Sequence, residues 1–278
     1  MYKRQLQDIE FACIANSSQT LRDRLDSVGM GGNGQFTRLS ELIRLGESPW
    51  TACLVEDMEL GLRLHLAGVS IRYCSTAVIT QQAVVDVRRL LRQRTRWAQG
   101  NLQCGRHLRG LLGSRHIGSV GLLDFLYYLV APWLTVPASI LVAGIAVTVV
   151  IGLVTGQTFG GLSAAGSGPL PVLAWIGVLL MPGLIWGVWH RLRLGDEPLY
   201  RCLFAGLCYP FFLLLGVAAT WRATARHVSG RNSWAKTERL ADHVDVTRLP
   251  AGTGHADDTV AAVPPARTPL DVDRVPTA

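Results

Sequence analysis

The chain of 278 residues contains few charged side chains: Asp, Glu, Lys and Arg make up 17% of it, whereas ordinary soluble domains carry roughly a quarter. The stretch from Phe125 to Trp189 contains none of the four. Because 49% of the residues are hydrophobic, wholesale disorder is excluded, since disorder requires low hydrophobicity and high charge. The clustering of apolar residues also excludes a freely soluble globular protein and predicts a membrane protein.

Patterns typical of metal or disulfide sites are absent as well. The six cysteines form no C-x-x-C pair, and no paired histidine spacing accompanies them. The sequence therefore predicts neither a zinc site nor a disulfide framework. Lysine is scarce, with Lys3 and Lys236 the only two among 27 basic residues. We attribute the excess of arginine to GC-rich coding rather than to selection for phosphate chemistry.

Composition divides the chain into five segments. Residues 1–85 mix short apolar and polar pieces, as a soluble α/β domain does, and residues 86–121 are rich in arginine with a helical pattern. Residues 122–221 are apolar, and residues 222–249 are basic. Residues 250–278 are rich in Pro, Ala, Gly, Thr and Asp and lack a hydrophobic pattern, which predicts a disordered tail.

Local patterns within residues 1–85 predict both strands and helices. Strands are expected at Asp8–Ala15, Ala52–Val55 and Val69–Tyr73, and helices at Leu21–Val28, Thr37–Leu45 and Asp57–Ala67. A strand, a helix and a strand following one another on this scale are typical of a parallel α/β domain.

The apolar segment predicts membrane-spanning helices. It comprises three blocks, which are Leu122–Val154, Leu170–Trp189 and Leu199–Trp221. A spanning helix needs about 20 apolar residues, so the second and third blocks each predict one crossing. The first block is too long for one untilted span and short for two. Arginine clusters flank the segment on both sides, and both favour the cytoplasmic face, so three and four crossings stay open.

A pair of carboxylates, Glu56 and Asp57, follows the short apolar run Ala52–Val55 and opens the next predicted helix. One interpretation is helix capping, because Asp is a favoured N-cap and acids suit the positive end of a helix. The other interpretation is catalytic. Open α/β sheets bind their ligands at strand ends, where Asp57 would serve as a general base.

Gln93, Arg96 and Trp97 lie at positions i, i+3 and i+4 of the arginine-rich segment, and therefore on one face of a helix. A guanidinium binds phosphate oxygens in a bidentate manner, and an indole offers a flat apolar surface on which sugars stack. The alternative is a basic amphipathic helix that lies on anionic lipid headgroups, with its Trp at the interface.

A glycine-rich turn, Gly31–Gly34, precedes a predicted helix. Glycine allows backbone conformations and close approaches to a ligand that other residues forbid. The turn fits neither G-x-G-x-x-G nor a Walker loop, so its spacing does not predict a phosphate site. An ordinary tight turn explains it equally well.

The order of these elements resembles the membrane-embedded family 2 glycosyltransferases, the processive synthases of cellulose, hyaluronan and poly-N-acetylglucosamine. Val55-Glu56-Asp57 is similar to the family's T/V-E-D motif, and Gln93-Arg94-Thr95-Arg96-Trp97 is similar to its Q-x-x-R-W motif. The resemblance covers roughly residues 8–240. It implies a partial GT-A-like (Rossmann-like) catalytic domain in an α/β segment. Amphipathic interface helices and a bundle of three or four transmembrane helices would follow.

The resemblance also implies roles for the matching residues. Asp57 would be the general base that takes the proton of the acceptor hydroxyl, and Glu56 would support it. Gln93 and Arg96 would hold the nucleotide diphosphate, and Arg94 is assigned to substrate binding beside them.

Further expectations concern the acceptor and the reaction. Trp97 would stack on the acceptor sugar, and Gly32 and Asn33 would shape its pocket. The reaction implied is inverting transfer from a UDP-sugar to a growing polysaccharide, with Mg²⁺ or Mn²⁺ as cofactor. Its implied location is the bacterial cell membrane, in a multi-pass protein whose catalytic part is cytoplasmic and contacts membrane lipids.

One part of the family pattern is missing. Family members carry an aspartate that grips uridine and a D-x-D motif that holds the metal, both upstream of the glycine-rich turn. Here Asp8, Asp23 and Asp26 are the only earlier aspartates, and no D-x-D precedes Glu56. We therefore expect the chain to be the C-terminal part of a longer synthase, inactive as it stands, with no metal ligands of its own.

Three other functions are alternatives. A non-processive transferase would add one sugar to a lipid carrier. A non-catalytic membrane-anchored protein would explain the basic helix and the apolar blocks, but it does not require the Glu56-Asp57 pair. A nucleic-acid binder using Arg88–Arg96 is disfavoured, because the basic run adjoins an apolar segment and lacks interleaved aromatic residues. We therefore predict no nucleic-acid partner.

Overall fold

The computed structural model describes residues 2–79, 81–155 and 170–231. These residues form nine α-helices and no β-strand. The helices are α1 (Tyr2–Asp8), α2 (Asn16–Arg24), α3 (Leu39–Arg44), α4 (Glu56–Leu66), α5 (Val87–Cys104), α6 (Leu108–Gly113), α7 (Ser119–Thr155), α8 (Leu170–Leu194) and α9 (Leu199–Val228). A π-helical segment, Ile9–Ala15, joins α1 to α2, and a 3₁₀ turn, Gly105–His107, joins α5 to α6.

The strand predicted at Asp8–Ala15 is wrong, because this segment continues the helical path from α1 into α2. Ile9 and Cys13, four residues apart, are both buried, as expected for one face of a helix. Ile9 packs against Ala205 and Tyr209 of α9. A helix satisfies its own backbone groups, whereas a strand requires a partner strand, and the described residues supply none.

The strands predicted at Ala52–Val55 and Val69–Tyr73 are also wrong, and side chains take the place of a sheet partner. The backbone N–H of Tyr73 donates to Oδ1 of Asp23 at 2.8 Å, and its hydroxyl donates to Oδ1 of Asn16 at 2.8 Å. Both acceptors belong to α2. This segment therefore docks on a helix, where the α/β interpretation expected a parallel sheet.

Two predicted helices are confirmed, and the third is wrong in its second half. Thr37–Leu45 contains α3, and Asp57–Ala67 coincides with α4 to within one residue at each end. Gly68 follows α4 with φ +78°, the left-handed conformation that ends many helices. Within the predicted Leu21–Val28 helix, the chain leaves α2 after Arg24 and turns at Asp26, which has φ +51°.

The core that positions the acidic pair lies between α4, α5, α6 and α7. Its buried members are Cys53, Val55, Met58, Leu62, Cys104, Leu111, Phe125 and Leu129. Burying a large apolar side chain stabilises a fold by about 1.5–3 kcal/mol. Val55 and Met58, which flank Glu56-Asp57, are therefore fixed by packing in this core.

The three apolar blocks correspond to α7, α8 and α9. By length and composition, Ser119–Gly152 and Leu199–Val228 could each cross a membrane. The first block does not fold back on itself, because α7 continues through Pro132 and Pro137 for 37 residues, a length of about 55 Å. The predicted tail at 250–278 and residues 232–249 of the basic segment lie outside the described residues.

Helices α8 and α9 pack closely through glycines. Gly183 and Gly187 on α8 are four residues apart, a spacing of small residues that lets membrane helices approach. A Cβ atom added to Gly187 would lie 2.5 Å from the carbonyl oxygen of Cys202, and one on Gly183 would overlap the carbonyl oxygen of Gly206. Only residues without a side chain allow this backbone contact.

Candidate functional site

The segment before the acidic pair is docked on α5 through its backbone. The N–H of Leu54 donates to Oε1 of Gln103 at 3.0 Å, and the carbonyl of Leu54 accepts from Nη1 of Arg96 at 3.3 Å. Val55 rests on Gly100, where an added Cβ would lie 2.6 Å from Cγ2 of Val55. Two side chains of α5 and one glycine therefore set the position of residues 53–57.

Asp57 is the second residue of α4 and is partly buried. Its Oδ1 accepts from the N–H of Met58 at 2.8 Å. Burial raises the pKa of the Asp57 carboxyl above its ordinary value, and the negative charge of Glu56 raises it further. The N–H of Met58 and the Arg96 guanidinium oppose this shift only in part. A carboxylate whose pKa is raised in this way is suited to accept a proton.

The glycine-rich turn brings one of its two predicted residues to Asp57. Gly32 has φ +79°, and a Cβ atom there would lie 2.6 Å from Oδ2 of Asp57. The position therefore requires glycine both for its conformation and for space. Asn33 instead donates from Nδ2 to Oε1 of Gln81 at 2.6 Å, so its amide joins two loops.

The residues of the Q-x-x-R-W sequence take different positions on α5. Arg96 contacts Leu54 and lies near enough to Asp57 to lower its pKa. Trp97 packs on the core cluster that contains Val55. Gln93 is half-buried one turn before Arg96. The structure thus brings Arg96 and Trp97 to the same segment as Asp57.

Arg94 is held by groups of the protein itself. It forms a two-pronged ion pair with Glu10, and its guanidinium carbon lies 4.6 Å from the centre of the Trp97 ring. Phe11 meets Trp97 edge-on, with 6.2 Å between ring centres. A cation over an aromatic ring stabilises the pair by about 0.5–2 kcal/mol. These contacts fix the orientation of Trp97, so Arg94 positions the indole.

Glu59 is a site residue that the sequence interpretation missed. It is 1% exposed and is bound by Arg106, by the hydroxyl of Thr51 and by Nε2 of His107, the last at 2.8 Å. Burial alone would raise the pKa of Glu59, but the hydrogen bonds from Thr51, His107 and Arg106 lower it. The network ties α4 to the 3₁₀ turn after α5. Because Arg106 and His107 are 47 and 48 residues from Glu59 in sequence, local spacing could not reveal their contacts with it.

In the sequence, the arginines that follow the apolar segment indicate only the membrane topology, and two of them belong to α9. Arg222 and Arg226 line a small cleft together with Arg92 and Arg96 of α5. The proximity of α9 to the Q-x-x-R-W helix could not be read from the sequence, because about 130 residues separate the two groups.

A divalent cation is implied by the resemblance, but the described residues do not fit one. No group of three His, Cys, Asp or Glu side chains that could hold a metal ion occurs within 2–79, 81–155 and 170–231. Hard cations such as Mg²⁺ require several oxygen ligands. The Glu56-Asp57 pair alone does not make such a set.

Comparison with known proteins gives one match. Residues 5–190 match the family model described as glycosyl transferase family group 2. No curated protein and no solved structure matches the chain. The matched residues contain the glycine-rich turn, the acidic pair and all of α5, and they end before α9 begins.

Replacing Glu59 with Gln is expected to lower the free energy of unfolding by about 2 kcal/mol at pH 7, because Arg106 and His107 lose a buried charged partner. The loss should shrink as the pH falls. A lowered folded-state pKa means that Glu59 stabilises the fold above its ordinary pKa of 4.5, and that this contribution vanishes as the pH drops through the folded value.

Chemical denaturation in detergent at pH 7 and at pH 4 measures both effects. Glu47→Gln is the matched control, because Glu47 is exposed in the segment between α3 and α4 and should change stability little at either pH. A deficit for Glu59→Gln that grows on acidification would contradict the assigned network.

Proposed function

Because the chain belongs to the glycosyl transferase family group 2, we propose that it supplies the base and the leaving-group ligands of an enzyme that transfers a sugar from a UDP-sugar to a growing polysaccharide with inversion at the anomeric carbon. Glycosyl transfer from a nucleotide-sugar donor to an acceptor follows from the family itself. The uridine nucleotide, the polymeric acceptor and the residue roles below are our proposals.

Asp57 is assigned as the general base. Its carboxylate takes the proton of the acceptor hydroxyl while the hydroxyl oxygen bonds to the anomeric carbon of the donor. The bond from that carbon to the diphosphate oxygen breaks, and UDP leaves with the electron pair. The raised pKa of Asp57 supports this role, because a stronger base accepts the proton more readily near neutral pH.

Arg96 and Gln93 are assigned to the leaving group. A guanidinium stabilises the negative charge that develops on the diphosphate as the sugar departs, and it can do so in a bidentate manner. The observation that carries the proposal is the meeting of Gly32, Asp57 and Arg96 around the docked segment 53–57. Because Gly32 has no side chain, the glycine-rich turn can pass close to the carboxylate of Asp57.

Trp97 is assigned to the acceptor. Its indole packs against the core cluster to which Val55 and Met58 belong, and Arg94 and Phe11 fix its orientation. A rigid aromatic side chain offers contact area at a low cost in conformational entropy. Acceptor stacking at Trp97 would place the sugar close to Asp57.

A location at the cytoplasmic face of a bacterial membrane is part of the proposal. The apolar helices α7 and α9 are long enough to cross, and basic residues favour the cytoplasmic side. Because Arg92 and Arg96 of α5 share one cleft with Arg222 and Arg226 of α9, both groups must face the same side. We therefore propose that α5 and the end of α9 lie on the same side of the membrane.

Replacing Asp57 with Asn is expected to reduce sugar transfer by at least about 100-fold, because the amide cannot accept the proton. UDP affinity should stay within about twofold of the unmodified protein. Arg96→Lys, which keeps the charge but loses the bidentate geometry, should weaken UDP binding instead.

Both properties are measured on the full product of the coding frame in lipid nanodiscs. Incorporation of labelled sugar from a panel of UDP-sugars reports transfer, and calorimetry reports UDP binding. Full turnover by Asp57→Asn would show that the base is another group. Product length distinguishes a polymer from single addition to a lipid carrier.

The rate of transfer is expected to rise with pH through the raised pKa of Asp57. Glu56→Gln should move this acidic limb to lower pH, because the Glu56 charge helps to raise the pKa of Asp57. The pH dependence of kcat/KM for the two proteins measures the shift. A limb that stays in place or moves to higher pH would contradict the assignment of Asp57 as the titrating base.

A further inference from the structure

A cationic cleft lies where α5 meets the C-terminal part of α9. Four arginines line it, Arg92 and Arg96 from α5 and Arg222 and Arg226 from α9. Its volume is about 50 Å³. Among the described residues that line the cleft, none is acidic.

One side of the cleft is held in place by hydrogen bonds between α5 and the end of α9. Arg226 donates from Nε to Oε1 of Gln99 at 3.0 Å, and Gln99 donates from Nε2 to the carbonyl of Arg231 at 2.8 Å. Gln99 is 1% exposed. These bonds fix the end of α9 against α5 and so hold Arg222 opposite Arg92 and Arg96.

Arg96 is only partly satisfied by the protein. Its Nη1 donates to the carbonyl of Leu54, while its Nε is buried with no hydrogen-bond partner among the described residues. Burying an unpaired donor of a charged group costs free energy. Several like charges around one small space also repel each other unless an anion lies between them.

From these observations, and on the basis of the proposed function, we propose that α9 completes a phosphate-binding site, in which Arg222 joins Arg92 and Arg96 in binding a phosphate or diphosphate group. Arginine is the side chain best suited to this ligand, because its planar guanidinium matches phosphate oxygens. The part played by α9 is separate from the family match, which ends at residue 190.

Two sources offer this chemistry at a membrane surface. One is the diphosphate of the nucleotide that leaves during transfer, and the other is the phosphate of an anionic lipid headgroup. Arg222 follows directly on the apolar part of α9 that ends at Trp221. This position would lie at the membrane surface, where a nucleotide and a lipid headgroup are both available. In the first case, α9 acts on the leaving group. In the second, it couples the catalytic helix to the lipid.

The test measures both ligands with the full chain in a nonionic detergent. Calorimetry with inorganic pyrophosphate and with UDP forms one arm. In the other arm, the protein is mixed with detergent micelles that contain phosphatidylglycerol and phosphatidylcholine. Native mass spectrometry then measures how much phosphatidylglycerol stays bound. Arg222→Gln is the variant, and Arg88→Gln is its matched control, since Arg88 lies on α5, is exposed and does not line the cleft.

For Arg222→Gln, we expect the affinity for pyrophosphate or for phosphatidylglycerol to fall at least about tenfold, as expected for loss of a charged hydrogen bond. Arg88→Gln should stay within about twofold. Loss in the pyrophosphate arm assigns the site to the leaving group, and loss in the lipid arm assigns it to the headgroup. Unchanged affinity in both arms overturns the proposal.

Two further variants separate folding and the proposed function from this inference. Arg222→Lys keeps the positive charge and should retain a measurable part of the affinity, which guards against a variant that merely unfolds. If Arg96→Lys weakens UDP binding while Arg222→Gln does not affect either ligand, the inference fails and the proposed function stands. If Arg96→Lys leaves UDP binding unchanged and Arg222→Gln changes the affinity in neither arm, both fail.

Discussion

Leu54 has no neighbouring strand among the described residues, so its amide and its carbonyl are both satisfied by side chains of α5. This pair of hydrogen bonds determines where the next residues go. Val55 can approach α5 only because Gly100 has no side chain, and α4 then begins at Glu56. The position of Asp57 therefore depends on one helix, α5, that also carries Arg96 and Trp97.

The same helix serves several parts of the protein at once. One side of α5 supports the segment 53–57, and Cys104 is buried in the core cluster around α4. Another side meets α9, where Gln99 is bonded to Arg226. Arg94 turns towards Glu10 and fixes Trp97. In the proposed function, α5 carries the assigned phosphate ligands and acceptor contact on neighbouring turns, and it also positions the assigned base, Asp57, at the start of α4.

The sequence predicted α4 and the acidic pair at its start, because a run of helical spacing with a following glycine is a local signal. It failed for Ile9–Ala15 and Val69–Tyr73, since short apolar runs do not distinguish a strand from a buried helical or extended segment. The resemblance assigned Gly32 to the acceptor pocket, but no local pattern predicted its close approach to Asp57. The Glu59 network and the arginines of α9 could not be predicted, because contacts between distant residues leave no spacing to read.

The most direct test of the account concerns the docking of residues 53–57 on α5. The thiols of Cys53 and Cys104 lie 3.8 Å apart in this arrangement, close enough for mild oxidation to join them. The folded chain is treated with copper phenanthroline, and its disulfides are mapped by mass spectrometry of tryptic peptides. The account predicts that Cys53 pairs with Cys104. Pairing of Cys53 with the exposed Cys74 would contradict it.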